Sequence, residues 1–344
     1  MSTTFKQFLA SDTINTRTLL HEVIPLTGTI VSGTYADNNI KNYTHGMFQS
    51  VFDYPYLSSS ANHILDLTVG YSSVSALSNS ANTQNNKKIN IYNQMSQILV
   101  GYDSVSGTLQ RFDQDGNIAG GGTKLNECVF LSFARLLTKD EIKKGSFTLQ
   151  VLTGGANTSP SNTLTLSDYG AVTEYRTNSP AGEYGILYTS SAAAEGTGVG
   201  LVYYQAGIAV VTASIFNGNF GPRSDTSTYT SSVSSYLASG TISSSADGFR
   251  NRLYNIQFNN TTELNSTIYF CRASHNEFNY SSNPTYVSGG QIVVKNVSSD
   301  VPVSYITTVG LYGAANELLA VAKLSEPLKK SIDNELTIRV RLDY

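Results

Sequence analysis

The chain has 344 residues, of which 40% are hydrophobic and only 14% charged, and its formal net charge is −3. This apolar share excludes a disordered chain, and the near-neutral charge without clustered Lys and Arg argues against a nucleic-acid surface. The length predicts two or three packed domains. Ser, Thr, Asn, Gly and Tyr replace the missing charges, which suits a β-rich subunit that buries much of its surface against neighbours.

The first predicted region, residues 1–165, is a mixed domain of strands and a few short helices. An apolar stripe of Phe5, Phe8 and Leu9 predicts a short helix at its start. His63–Tyr71 alternates apolar and polar residues imperfectly and is predicted as a strand. The N-terminus lacks the basic start and apolar stretch of a signal peptide, so assembly in the cytoplasm is expected.

Two further helices are predicted in this region. Lys87–Val100 has apolar residues at helical spacing, and Gly101 supplies a C-terminal stop. Thr138–Glu141 fits a capping box, which predicts a short helix that ends at Gly145. Apolar runs on either side of this second helix are predicted as strands, namely Cys128–Phe133 and Ser146–Leu152.

The second region, residues 166–249, is rich in Ser, Thr and Gly and is predicted to contain short strands. Its apolar runs are Tyr184–Tyr188, Leu201–Tyr204 and Ile208–Phe216. Thr226–Ser245 is almost a low-complexity Ser/Thr tract, which suggests either a flexible loop or an extended arm that is ordered against a partner.

One apolar stretch, Val199–Phe216, is long enough in principle to span a membrane. Gln205 and Gly207 interrupt it centrally, and β-branched residues and Tyr dominate both halves. A hairpin that turns near these two residues buries the stretch equally well. A membrane partner is therefore not expected.

The third region, residues 250–344, is predicted as an antiparallel β-sandwich. In Leu336–Leu342, apolar and polar residues alternate with the period of a half-buried strand. Tyr312–Leu318 resembles a hairpin loop. The other strand candidates, separated by Gly, Asn, Pro or Asp turns, are Ser266–Cys271, Gln291–Lys295, Tyr305–Tyr312 and Leu318–Leu324.

No motif in the chain predicts catalysis, a metal site or a cofactor. Asp113–Asn117 superficially suggests a calcium loop, but Ile118 and Lys124 stand where an EF-hand needs Gly and Glu, so a polar hairpin turn is the better prediction. The four histidines are widely separated and form no close-spaced metal pair. Cys128 and Cys271 each lie alone in an apolar run, which favours reduced thiols.

Three blocks of the third region resemble a block in tail and baseplate structural proteins of contractile-tailed phages, namely Asn276–Tyr286, Tyr305–Tyr312 and Glu317–Pro327. Two blocks of the first region, His45–Asn62 and Leu137–Phe147, resemble virion structural proteins of T-even-like phages of marine bacteria, including cyanophages. The resemblance implies a non-enzymatic structural component of the virion tail, with other tail or baseplate subunits as partners. It also implies a homo-oligomer or a place in a hetero-oligomeric ring.

Candidate interface residues follow from the aromatic content of the third region and of the N-terminus. Aromatic rings around the turn dipeptide Asn283-Pro284 either hold that loop on its own domain or fill a pocket on a neighbouring subunit. The candidates are Phe5, Phe8, Phe278, Tyr280, Tyr286 and Tyr312. The alternative function is a receptor- or glycan-binding tail protein, possibly polysaccharide-degrading, which predicts an exposed groove of aromatic residues and carboxylates.

Overall fold

The computed structural model describes residues 5–25, 39–53, 62–79, 81–118, 120–153, 162–189, 197–216, 233–280, 287–288, 291–292 and 302–344. The protein is mainly β, with antiparallel sheets and a few short helices. The prediction of a mainly β protein with a few short helices is therefore confirmed, and the β-sandwich predicted for residues 250–344 stays a prediction.

The chain contains seventeen strands and five helices among its described residues. In chain order, the strands are β1 (Thr13–Pro25), β2 (Ile40–Asn42), β3 (Gln49–Phe52), β4 (His63–Tyr71), β5 (Glu127–Phe133), β6 (Glu141–Ile142), β7 (Thr148–Leu152), β8 (Thr163–Ser167), β9 (Tyr184–Leu187), β10 (Gly200–Tyr203), β11 (Ile208–Thr212), β12 (Leu253–Ala273), β13 (Val287–Ser288), β14 (Gln291–Ile292), β15 (Val303–Tyr312), β16 (Leu318–Ser331) and β17 (Leu336–Asp343). The helices are α1 (Asn85–Leu99), α2 (Arg135–Thr138), α3 (Ala171–Glu174), α4 (Val233–Ser239) and α5 (Ile242–Arg252), and two 3-10 turns cover Ala10–Asp12 and Ala213–Phe216.

The chain forms two compact units. The terminal unit combines Met1–Leu19 with Glu263–Tyr344, and the central unit is Leu20–Thr262. These units are defined by contacts, whereas the three regions 1–165, 166–249 and 250–344 rest on composition. The three-region division stays a prediction.

The central unit is built on a seven-stranded sheet with the order β2-β3-β4-β5-β11-β10-β9. Its middle strands are buried along almost their whole length, as their apolar runs require. Helix α1 packs on β4 at Gly70, where an added Cβ would lie 2.7 Å from the Lys88 carbonyl oxygen. Tyr92 of this helix meets Phe112 and Phe130 in the core, with its ring 5.4 Å from that of Phe112.

The terminal unit contains the C-terminal strands and the first residues of the chain. The second half of β12 pairs antiparallel with β17, from Ser266 opposite Asp343 to Ala273 opposite Leu336, and β1 also lies beside β12. Strands β15 and β16 form a long antiparallel hairpin of their own. Its turn contains Gly313, whose N–H donates to the Glu317 carbonyl, so the predicted hairpin loop is confirmed.

Several predicted elements are confirmed with small changes at their ends. The helix predicted at 87–100 is α1, the strand predicted at 63–71 is β4, and the strand predicted at 336–342 is β17. The apolar stretch 199–216 contains the hairpin of β10 and β11, with the turn at the predicted residues. In the part of the chain that the structure describes, no helix is both long and apolar enough to cross a bilayer.

The helix predicted at the N-terminus is wrong. Residues 5–9 form no helix, and only the 3-10 turn Ala10–Asp12 follows them. The rings of Phe5 and Phe8 instead contact Tyr312 and Tyr269. A stripe of three apolar residues cannot offset the cost of helix nucleation when tertiary contacts compete for the same side chains.

The helix predicted from Thr138 to Gly145 is also wrong. Helix α2 ends at Thr138, and Glu141 and Ile142 form β6, which pairs with Thr261 and Asn260 of β12. Ile142 is fully buried there. Pairing with a strand distant in sequence overrides the local capping signal.

The Ser/Thr-rich tract was expected to be a loop or an extended arm, which is wrong for residues 233–245. These residues lie in α4 and at the start of α5, and Thr241 caps α5 by accepting the Ser244 N–H. The sparse apolar residues of the two helices are buried, among them Leu237, Ile242 and Phe249. Residues 226–232 lie outside the described part of the chain.

Candidate functional site

An open cleft of about 1030 Å³ lies within the terminal unit. Its walls come mainly from the N-terminal segment 5–8, the end of β12, the turn at 278–280 and β15 from Ser304 onward. Among the lining residues are five of the six predicted interface residues, Phe5, Phe8, Phe278, Tyr280 and Tyr312. The sixth, Tyr286, lies outside the described residues. Positions chosen for their aromatic character therefore meet at one place.

The five aromatic rings remain exposed, and two of them contact each other. The ring centroids of Phe5 and Tyr312 lie 4.6 Å apart, so the N-terminal segment packs on the end of β15. Each of the five side chains is at least 39% exposed, and Tyr280 is the most exposed at 67%. The cleft therefore leaves apolar surface for another molecule.

A buried cation fixes the turn that carries Phe278 and Tyr280. The Lys330 amine is fully buried and donates to Asn279 Oδ1 and to the Ser331 carbonyl, both at 2.7 Å. The Ser304 hydroxyl donates to the Phe278 carbonyl. Phe278 has φ +55°, which a bulky residue rarely adopts, so these hydrogen bonds must hold the turn in a strained conformation.

The charges that line the cleft are already paired inside the unit. Asp12 is buried, pairs with the Arg272 guanidinium at 2.5 Å and accepts the Leu9 N–H at 2.9 Å. The Leu9 N–H, and then Arg272, hold the pKa of this carboxyl below its usual range. Lys6 pairs with Glu277, whose pKa this contact lowers. Among the described residues, the cleft thus offers a ligand no unpaired charge.

This arrangement is suited to binding. Two carboxylates are needed to cleave a glycosidic bond, and Asp12, held by Arg272, is the one carboxylate among the described lining residues. Cys271 also lines the cleft as a free thiol, and burial raises its pKa, which opposes thiolate formation. The cleft can contact an apolar partner through its rings.

The other residues considered for chemistry have structural roles. Asp113 and Lys124 close a polar loop as antiparallel partners, which confirms the predicted turn. The Lys124 amine pairs with Asp113 and donates to the Ile118 carbonyl at 3.1 Å. His63 contacts Asp66 at 2.9 Å, which raises the pKa of the imidazole. In the described part of the chain, no three His, Cys, Asp or Glu side chains come together as metal ligands.

Sequence reasoning predicted a strand at 305–312 but missed its role as a wall of the cleft. The signal was present, because β15 contains no charged residue and no proline and is rich in β-branched and aromatic residues. Comparisons of the chain with protein-family models, curated proteins and solved structures found no match. A role must therefore be argued from the cleft itself.

Proposed function

We propose that the protein is a non-enzymatic structural subunit of a bacteriophage virion that acts through protein–protein contacts in the tail or baseplate. The observation that carries this proposal is the set of five exposed aromatic rings around one cleft of the terminal unit. Aromatic side chains are enriched in the buried centres of protein interfaces, where a few of them supply most of the binding energy.

The surface next to the cleft supports the same role. The hairpin of β15 and β16 exposes large apolar side chains, among them Leu318, Leu319 and Val321, each at least 52% exposed. Contiguous apolar surface on a soluble protein marks an interaction site or an aggregation liability. A subunit that is embedded among neighbours gains stability by covering such a surface.

A second candidate function is binding of a receptor or glycan. The openness of the cleft and the exposure of Tyr280 favour it, because an aromatic face in a groove can also bind a small ligand. Cleavage of a polysaccharide receives less support, since Asp12 already pairs with Arg272. Incubation of the purified protein with host surface glycans separates binding from cleavage.

The experiment compares two tyrosine substitutions in assembled particles. Tyr280→Ala removes the most exposed ring of the cleft, and Tyr102→Ala removes a similarly exposed ring of the central unit. Loss of an interface aromatic residue costs about 2 kcal/mol or more, a factor of about 30 in affinity. We expect Tyr280→Ala to be depleted from purified particles and Tyr102→Ala to be incorporated normally. Wild-type incorporation of both variants would contradict the proposal.

A further inference from the structure

The cleft follows the edge of β15 and not the face of its hairpin. Every residue from Ser304 to Ala314 lines the cleft, so the lining includes residues whose side chains point to either face of the strand. A cleft on one face would be lined by alternate residues of β15 together with their cross-strand partners. No residue of β16 is among its described lining residues. The cleft therefore runs along the side of β15 that points away from β16.

In the part of the chain that the structure describes, no strand pairs with this edge of β15. Among the described strands, β15 pairs with β16 alone, in a sheet of two strands. Each strand edge presents a row of N–H and C=O groups that can form a ladder with another extended chain. The exposed edge is about 30 Å long for a ten-residue strand.

The two strands of the hairpin differ in how their edges are protected. Charged residues and proline normally block pairing at a free edge. Strand β16 contains Lys323, Glu326, Pro327 and Lys329, whereas β15, with the sequence VSYITTVGLY, contains neither kind of residue. The unblocked edge is the one that lines the cleft.

The geometry of the edge limits what can pair with it. The cleft, of about 1030 Å³, follows β15 from Ser304 to its end. Neighbouring strands in a sheet are about 4.8 Å apart, so one extended chain can pair with this edge, whereas the outer strand of a hairpin from a second copy would lie about 10 Å away and form no hydrogen bond with β15.

The charges of the cleft limit the composition of that chain. Lys6 and Arg272 are paired with Glu277 and Asp12, so a charged residue entering the cleft would be desolvated without a partner. The rings of Phe278, Tyr280 and the other aromatic residues offer contacts to apolar side chains. An uncharged segment with alternating apolar side chains fits both features.

We propose that the cleft is a strand-acceptor site, in which an uncharged extended segment of a neighbouring subunit adds to the free edge of β15. This inference rests on the proposed function, because it names the partner chemistry of the same cleft. Main-chain hydrogen bonds to β15 hold the segment, and the aromatic pockets select its alternate side chains.

The probe is a displayed library of random peptides of about ten residues, the length of β15, selected against the full-length protein. We expect the selected peptides to be uncharged and rich in β-branched and aromatic residues. Their binding should protect the backbone amides of β15 from hydrogen exchange. Thr307→Lys places a charge on the edge that lines the cleft, and Ser325→Lys places the same charge on β16, away from it.

Strand addition predicts that Thr307→Lys weakens peptide binding by about tenfold or more, the effect of a poorly solvated charge, while Ser325→Lys leaves it unchanged. The proposal is overturned if β15 amides stay unprotected or if both lysine variants bind equally well. If Tyr280→Ala nevertheless weakens peptide binding, the proposed function keeps its support and only the strand-addition proposal is rejected. A dimer of the purified protein that Thr307→Lys dissociates would make a second copy the occupant and would also overturn the proposal.

Discussion

Packing of α1 against β4 sets the geometry of the central unit, and Gly70→Ala tests it. An added Cβ at Gly70 would lie 2.7 Å from the Lys88 carbonyl oxygen and 3.0 Å from the Tyr92 nitrogen. Ordinary contacts begin at 3.4 Å, so the helix must move by about 0.7 Å. Overpacking of this kind costs about 1–3 kcal/mol. For a unit of this size we expect the melting temperature to fall by about 5 °C.

The assay is thermal and urea unfolding followed by far-ultraviolet circular dichroism and Tyr fluorescence, since the chain has no Trp. The matched control is Gly121→Ala, whose added Cβ would meet no atom within 4 Å. That variant should be unchanged or stabilised by up to about 1 kcal/mol. A Gly70→Ala protein as stable as Gly121→Ala would refute the close approach of α1 and β4.

Three further predictions concern buried or half-buried groups. Burial raises the pKa of Asp168 from 3.8 to about 6, and the folded protein then holds this proton more tightly than the unfolded chain. The free energy of unfolding should therefore fall by up to about 3 kcal/mol as pH rises from about 4 to about 6. Equilibrium unfolding measures this fall, which should be absent in the Asp168→Asn variant. Lys124→Met leaves the buried Asp113 carboxylate without its cation, so the free energy of unfolding in urea should fall by about 3 kcal/mol. An unchanged urea midpoint would show that the ion pair does not stabilise the fold. A maleimide should label Cys271 slowly and Cys128 only after denaturation, so rapid labelling of two thiols in the native protein would contradict the structure.

The parts of the fold that could be predicted from the sequence are those where local preference and tertiary packing agree. Strand β17 alternates apolar and polar residues, and α1 has apolar residues at helical spacing, so each pattern matches the surface that the element buries. The prediction was wrong at residues 141–142, where the partner is about 120 residues away in β12. It was also wrong at 233–245, where few apolar residues stand among serines.

The candidate site could be predicted only in part. Aromatic character alone identified Phe278, Tyr280 and Tyr312, which line the cleft. Their meeting with Phe5 could not be predicted, because that contact joins residues about 300 positions apart. The proposed role of β15 depends on which of its edges is free. The pairing partners of the strand determine the free edge, and strand propensity does not.

Cross-linking in intact particles tests most directly the claim that the cleft is filled by another subunit. A photo-reactive phenylalanine analogue would replace Tyr280 in the cleft, with Tyr102 of the central unit as the matched position. After irradiation of purified particles, we predict covalent adducts between position 280 and an extended, uncharged segment of a different virion protein. The claim would be contradicted if the protein were absent from the particles. It would also be contradicted if position 280 formed no cross-link to another chain.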